Sequence, residues 1–425
     1  MSVDHGARAG RPESGRPAPG GAPPVLTRLS GLGRDAFAAE HWGRGPLLHR
    51  GADPAGFADL LDLDGVDELL SRRGLRTPFL RVARDGTVVD SASFTGPGGV
   101  GAEIGDQVRD DRVAALFGEG STVVLQALHR LWPPVLDLAT ALGAELGHPV
   151  QANAYVTPPQ SRGFSAHYDV HDVFVLQLAG SKHWTVHAPV HADPLRGQPW
   201  TDHGAAVAAR ARDDEPVLDT VLDPGDVLYL PRGWLHSATA LGGVSAHLTI
   251  GVHVVTDYAL VEALTAVVAR DPALRASLPL GLDPSDPDAL APHLDTVREA
   301  LVDALGRVPA ADVARRVRGR VWAGNRAEPV RPVASAAFAA GLAPGDAVRL
   351  RAGLGHRITE RDAGIRLELA DRTIDLPGLV ADAVRALLDG TPHAIGELPG
   401  LDAADQVVLV RRLLREGVLV PAAGS

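Results

Sequence analysis

Apolar and polar positions alternate in short bursts through the middle of this chain, and the bursts are separated by Gly and Pro turns. Runs at 150–156, 166–170, 173–178, 183–186, 216–222, 227–230 and 245–254 each read as a short strand. Upstream, 122–128 is a further β-rich run, PLLHR at 46–50 is a strand or loop, and 78–89 is a hairpin turning through Arg84-Asp85-Gly86. Strands so close together leave no room for the crossover helices of a parallel sheet. The pattern therefore predicts a closed or sandwiched antiparallel architecture, with a ligand-holding barrel as its natural form. Helical spacing appears before it at 35–42 and 56–73, and again at 135–146, where Gly147 closes the run.

After Thr256 the period changes. Segments 257–269, 272–277 and 290–305 carry apolar residues at helical spacing, and 257–322 reads as a small helical unit. Its apolar positions, among them Leu260, Leu264, Val268, Leu294, Val297 and Leu301, exceed what an isolated unit can bury. A linker is expected at 326–332. Beyond it come short strands at 347–351 and 365–369, helices at 379–388 and 403–417, and a final VLVP, the order of a winged helix. Residues 1–24 are Gly, Pro and Arg with almost no apolar content and are expected to be a disordered tail.

Composition changes the picture in three places. The chain has 425 residues and no cysteine, which excludes disulfides, zinc thiolates and iron–sulfur clusters; with no signal peptide or membrane span legible, a cytoplasmic protein is expected. A net charge of -11 argues against a surface that coats nucleic acid, and residues 330–425 hold 11 arginines and 12 acids with no basic stripe. Of the 41 basic side chains only Lys182 is a lysine, and it lies inside the strand-rich segment. A site that needs a compact ammonium explains that exception.

The candidate chemistry sits in the same segment. His167 and Asp169 are two residues apart, so an extended backbone projects both from one face. His236 follows PRGW downstream as a third donor. Two imidazoles and one carboxylate form the facial triad that holds Fe(II) and leaves other positions on the metal open. Asn153 and Tyr155 share one strand face as two donors aimed inward. His171 has the parity of His167 and Asp169, so it either faces the same cavity, supporting the ligands or touching substrate, or is thrown to the surface by a turn after Asp169, which is the preferred reading. His183, His187 and His247 lack ligand spacing and are expected to be structural.

These residues carry a resemblance. The segments AFAAEHWGRGPLLHR (36–50), LHRLWPPV (128–135), HPVQANAYVTPP (148–159), AHYDVHDVFVLQLAGSKHW (166–184), GDVLYLPRGWLHSA (225–238), SAHLTIGVH (245–253) and DPALRASLPLG (271–281) resemble a bacterial member of the JmjC ribosomal oxygenase family, cupin-like 2-oxoglutarate oxygenases. The resemblance implies a mostly β core with α: a double-stranded β-helix (jelly-roll) barrel over 25–256, a helical dimerisation region over 257–325 and a winged-helix-like domain over 326–425. It implies Fe(II) on His167, Asp169 and His236, with the distal carboxylate of 2-oxoglutarate on Lys182 and further cosubstrate contacts from Asn153 and Tyr155. It also implies hydroxylation of an Arg or His of a ribosomal protein, with release of succinate and CO2, by a homodimer. Hydroxylation of another peptide, such as a natural-product precursor, and a non-catalytic metal-binding cupin regulator are the alternatives. Where members of the family carry Ser, this chain has Gly251, so one hydroxyl contact to the cosubstrate is expected to be missing or taken over by Thr249 or water.

Overall fold

The computed structural model describes residues 23–84, 86–159, 161 and 165–422. Most of the expected N-terminal tail, Asp85 of the hairpin turn, and Gln160 and Arg162–Phe164 lie outside these residues.

The strands that position the site are β1 (Leu47–His49), β2 (Leu80–Arg84), β3 (Thr87–Val88), β4 (Thr122–Leu125), β5 (Val150–Thr157), β6 (Asp172–His187), β7 (Leu218–Leu222), β8 (Val227–Leu230) and β9 (Leu235–Val252). Among the described residues they make one antiparallel nine-stranded sheet in the order β1-β8-β6-β9-β5-β4-β2-β3, with β7 beside β6. The sequence pattern broke β6 into two pieces and read only the second arm of β9, at 245–254. In the structure each is one long strand of 16 and 18 residues that pairs with the other along both its arms. Their ladder shifts register between Leu241 and His247, where Gly180 turns with φ of +58°. Bending at that shift folds a single sheet back on itself, and the result is a jelly-roll barrel.

Strand parity then sorts the side chains. On β5, Ala152, Ala154 and Val156 are buried against the main core with Phe174, Leu176, Leu248 and Ile250, while Asn153 and Tyr155 face the barrel interior. The helices Val25–Ser30, Arg34–Glu40, Leu63–Arg72 and Pro133–Leu146 cover that core from outside through Leu29, Phe37, Leu69 and Leu142. A second apolar cluster of Val173, Val175, Trp184, Val186, Leu222, Leu228 and Leu230 closes the inside of the barrel.

The segment 166–170, expected as a strand, is not one. It pairs with the barrel through the isolated bridge between His167 and His236. The helix read over 56–73 begins at Leu63, capped by Asp62 accepting from the Gly65 N–H; Phe57, at φ 59°, already breaks the preceding turns.

Beyond the barrel, Asp257–Val268, Pro287–Gly306 and Ala310–Gly324 are helices, the last of them not distinguished in the sequence pattern. They bury only Ala259, Ala263, Val268 and Ala304 and leave Tyr258, Leu260, Val261, Leu294, Val297 and Val302 exposed. The expected linker runs straight into a helix, Pro332–Ala340. The C-terminal part has its own core of Val348, Leu367, Val384, Leu387, Val410 and Leu413, and its wing has three strands, His356–Arg361, Gly364–Leu369 and Thr373–Pro377, where two were expected.

Candidate metal centre

Two chain segments bring the triad together. His167 and His236 exchange backbone hydrogen bonds (His167 N–H to His236 O, 3.2 Å; His236 N–H to His167 O, 2.8 Å), and the Gly233 N–H donates to Asp169 O at 3.0 Å. A buried carboxylate locks the two segments: Asp172 accepts from the Tyr229 hydroxyl at 2.6 Å and from the Arg232 N–H at 3.0 Å. The loop that carries His236 is therefore tied to the loop that carries Asp169 through backbone atoms. Rotamers alone would not hold donors to the tolerance a metal demands.

Donor atoms of His167, Asp169 and His236 all lie within 4.8 Å of one another, with His236 Nε2 3.8 Å from an Asp169 oxygen. Metal–ligand bonds of roughly 2.1 Å place ligand atoms at right angles about 3 Å apart, so this set closes on an ion with small adjustments. Each imidazole turns Nδ1 to a backbone carbonyl, His167 to Ser165 O at 2.7 Å and His236 to Trp234 O at 3.1 Å. A nitrogen facing a carbonyl must carry the proton, which leaves Nε2 with its lone pair toward the centre. Electrostatics agree. Burial would raise the Asp169 carboxyl, but His171, His236 and His167 around it outweigh burial and hold it below its ordinary value. Burial, then the neighbouring His167, lowers His236 to about 4. An ionised carboxylate beside a neutral His236 is the protonation state a divalent cation requires. The donor set fits Fe(II).

A cavity of about 220 Å³ runs from the triad into the barrel, lined by Tyr155, Val173, Val175, Trp184 and Thr249 and closed by Lys182 and His247. Lys182 is 2% exposed. Its Nζ donates to Thr157 Oγ1 at 3.0 Å and lies 3.3 Å from His247 Nδ1. Among the described residues no carboxylate pairs with it. Burial accordingly lowers the ammonium to about 7, and burial together with Lys182 holds His247 well below its ordinary value. An ammonium without a counter-ion at the closed end of a cavity is a seat for an anion. Tyr155 stacks on His247 with ring centroids 5.0 Å apart, and burial, then Asp169, raises its hydroxyl to about 12.

The other sequence candidates fall differently. Asn153 does not share the Lys182 cavity. It lines a second one of about 330 Å³ on the other side of Asp169, and its Oδ1 accepts from the Ala127 N–H at 2.9 Å, where Ala127 sits at φ 54°. His171, expected at the surface, is half-buried and lines that second cavity too. A Cβ at Gly251 would lie 2.6 Å from the His171 ring, so its missing side chain is what gives His171 its place. His247, read as structural, is part of the Lys182 end. Sequence reasoning also missed Arg81, which lines both cavities. Its only signal was an arginine at an inward position of β2.

Comparison with known proteins bears on the fold and on this segment. The JmjC domain family model matches residues 137–260, a span that holds all three triad residues. Ribosomal oxygenase 1 of Gallus gallus is 30% identical over 260 residues, covering 55% of this chain and 40% of its own. The bifunctional lysine-specific demethylase and histidyl-hydroxylase NO66 of Drosophila persimilis is 29% identical over 255 residues, covering 58% of this chain and 35% of its own. This chain thus spans well under half the length of these curated relatives. Among solved structures, E. coli ycfD superposes with a TM-score of 0.56 at 18% identity, over 92% of this chain and 98% of that one. The ribosomal oxygenase YcfD is also solved with cobalt and 2-oxoglutarate, matching at a TM-score of 0.52 and 18% identity over 92% of this chain and 99% of that one. Residues 137–260 are thus similar to the JmjC domain family, and the chain as a whole has a fold like that of YcfD.

Proposed function

We propose that this protein is an Fe(II)- and 2-oxoglutarate-dependent oxygenase that hydroxylates a protein side chain. One observation carries the reading: a two-imidazole, one-carboxylate donor set opens into a cavity whose far end presents an ammonium with no carboxylate partner among the described residues. His167, Asp169 and His236 would hold the metal. Fe(II), with 2-oxoglutarate and O2, supplies the oxidising power for C–H hydroxylation, the cosubstrate leaving as succinate and CO2.

The chain's own residues do the positioning. Lys182 takes the distal carboxylate through a charge-assisted hydrogen bond, with Thr157 and Tyr155 beside it. Val173, Val175 and Trp184 exclude water along the cavity wall, which strengthens that contact. The backbone carbonyls of Ser165 and Trp234 hold both imidazole Nδ1 protons away from the metal side.

The names of the relatives support a ribosomal protein as substrate, which implies a cytoplasmic enzyme. No helix among the described residues is long and apolar enough to cross a membrane. Exposed Tyr258, Leu260, Val261, Val297 and Val302 on the helices after the barrel support a homodimer formed through that region. With Fe(II) and ascorbate, the purified protein is expected to convert 2-oxoglutarate to succinate, and Asp169→Ala to abolish it. Turnover retained in Asp169→Ala would sink the proposal.

A further inference from the structure

The second cavity has a composition unlike the first. Its walls are Pro78, Phe79, Gln126, Ala127, Gln151 and Asn153, with His171 at the rim. Four of its residues, Arg81, Tyr155, Asp169 and Thr249, also line the Lys182 cavity, so its inner end abuts the triad. Asp169 is its only carboxylate among the described residues, and the metal reading commits that carboxylate. The one fixed cation is Arg81, whose Nε is buried without a hydrogen-bond partner. At the rim, His171 stacks on His253 (ring centroids 5.1 Å apart) with its Nε2 3.4 Å from the Gln151 amide nitrogen, in the space that Gly251 leaves open.

We propose that this cavity seats the substrate's side chain, and that Arg81 and His171 select an uncharged hydrogen-bonding side chain, of the imidazole or carboxamide type, over a guanidinium. The inference rests on the oxygenase reading and narrows its substrate class. The charge balance is the reason. When the site is loaded, Asp169 and the cosubstrate dianion offset the divalent metal and Lys182, which leaves Arg81 uncompensated. A guanidinium entering here would meet a like charge and, among the described residues, find no free carboxylate. A neutral imidazole or carboxamide meets only complementary partners: an acceptor for Arg81 and the amide protons, and a donor for the Gln126 and Gln151 carbonyls. His171 is a specificity-determining residue in this scheme, placed at the mouth by Gly251.

The test uses the full chain loaded with Mn(II) and 2-oxoglutarate without oxygen. Paramagnetic broadening of probe protons reports which small molecules reach the neighbourhood of the triad. The probes are the N-acetyl methylamides of histidine, glutamine and arginine. The histidine and glutamine probes should broaden about fivefold or more beyond the arginine probe. With Mn(II) and 2-oxoglutarate held at saturation, His171→Val should cut histidine-probe broadening severalfold, and Arg81→Gln should let the arginine probe in. An arginine probe broadened as strongly as the histidine probe in the wild-type protein would overturn the proposal. So would histidine-probe broadening that survives His171→Val, since that marks direct ligation to the metal. Failure of the oxygenase reading reads out separately, as no succinate from the Fe(II)-loaded enzyme, and leaves the probe comparison standing.

Discussion

Raising the pH should weaken 2-oxoglutarate binding through Lys182 alone. In the free protein this ammonium is buried against Thr157 and His247 and is lowered to about 7 from an ordinary 10.5, by desolvation. A dianion seated beside it stabilises the charged form, so the bound state keeps its proton to higher pH. The sign follows directly. Below about pH 7 the side chain is charged before binding and affinity is flat. Above it, each binding event must take up a proton, and affinity falls about tenfold per pH unit, or roughly 100-fold from pH 7 to 9. Calorimetry with Mn(II) in place of Fe(II), repeated in buffers of different ionisation enthalpy, should show uptake of about 0.9 proton at pH 8. Lys182→Met removes a charge-assisted bond to a desolvated carboxylate, at a cost of about 2–4 kcal/mol, which is roughly 30-fold to several-hundred-fold in affinity. The remaining binding of that variant should be flat between pH 7 and 9. The free protein should move the other way. An unfolded lysine holds its proton to about 10.5 while the folded one releases it near 7, so stability rises with pH across that window and is lost as pH falls toward 7. A pH-independent affinity in the wild-type protein, or Lys182→Met binding as tightly as wild type, would refute the reasoning.

Other outcomes are open to direct measurement. The protein should bind one Mn(II) per chain by electron paramagnetic resonance titration, and His167→Ala or Asp169→Ala should lose at least about tenfold in affinity with an unchanged circular dichroism spectrum. Asp172→Ala strands the buried Tyr229 hydroxyl and the Arg232 N–H, so urea unfolding should show a loss of about 2–4 kcal/mol, and metal affinity should fall because the His236 loop is freed. Light scattering at micromolar concentration should give a dimer mass, and aspartates introduced at Leu260 and Val297, both exposed, should convert it to a monomer without unfolding. A wild-type monomer at that concentration would remove the homodimer.

What the sequence determined is what depends on local pattern. Period-2 alternation revealed the barrel strands, because each has one face in the core and one in the cavity. The two-residue spacing of His167 and Asp169 holds in any extended backbone, so it placed both donors together although 166–170 is not a strand. The lone lysine among so many arginines singled out a position that the fold buries at the closed end of a cavity. The remainder depended on contacts between residues distant in the chain. Only the tertiary structure joined the short runs into two long strands, because register across a bend is set by the partner strand and not by the residues themselves. Only packing showed that Gly251 and His171, 80 positions apart, occupy a single space, which puts His171 in the lining of a cavity. Arg81 and His247 were invisible for the same reason. An inward-facing polar residue on a strand has no signature until the barrel closes and shows what it faces.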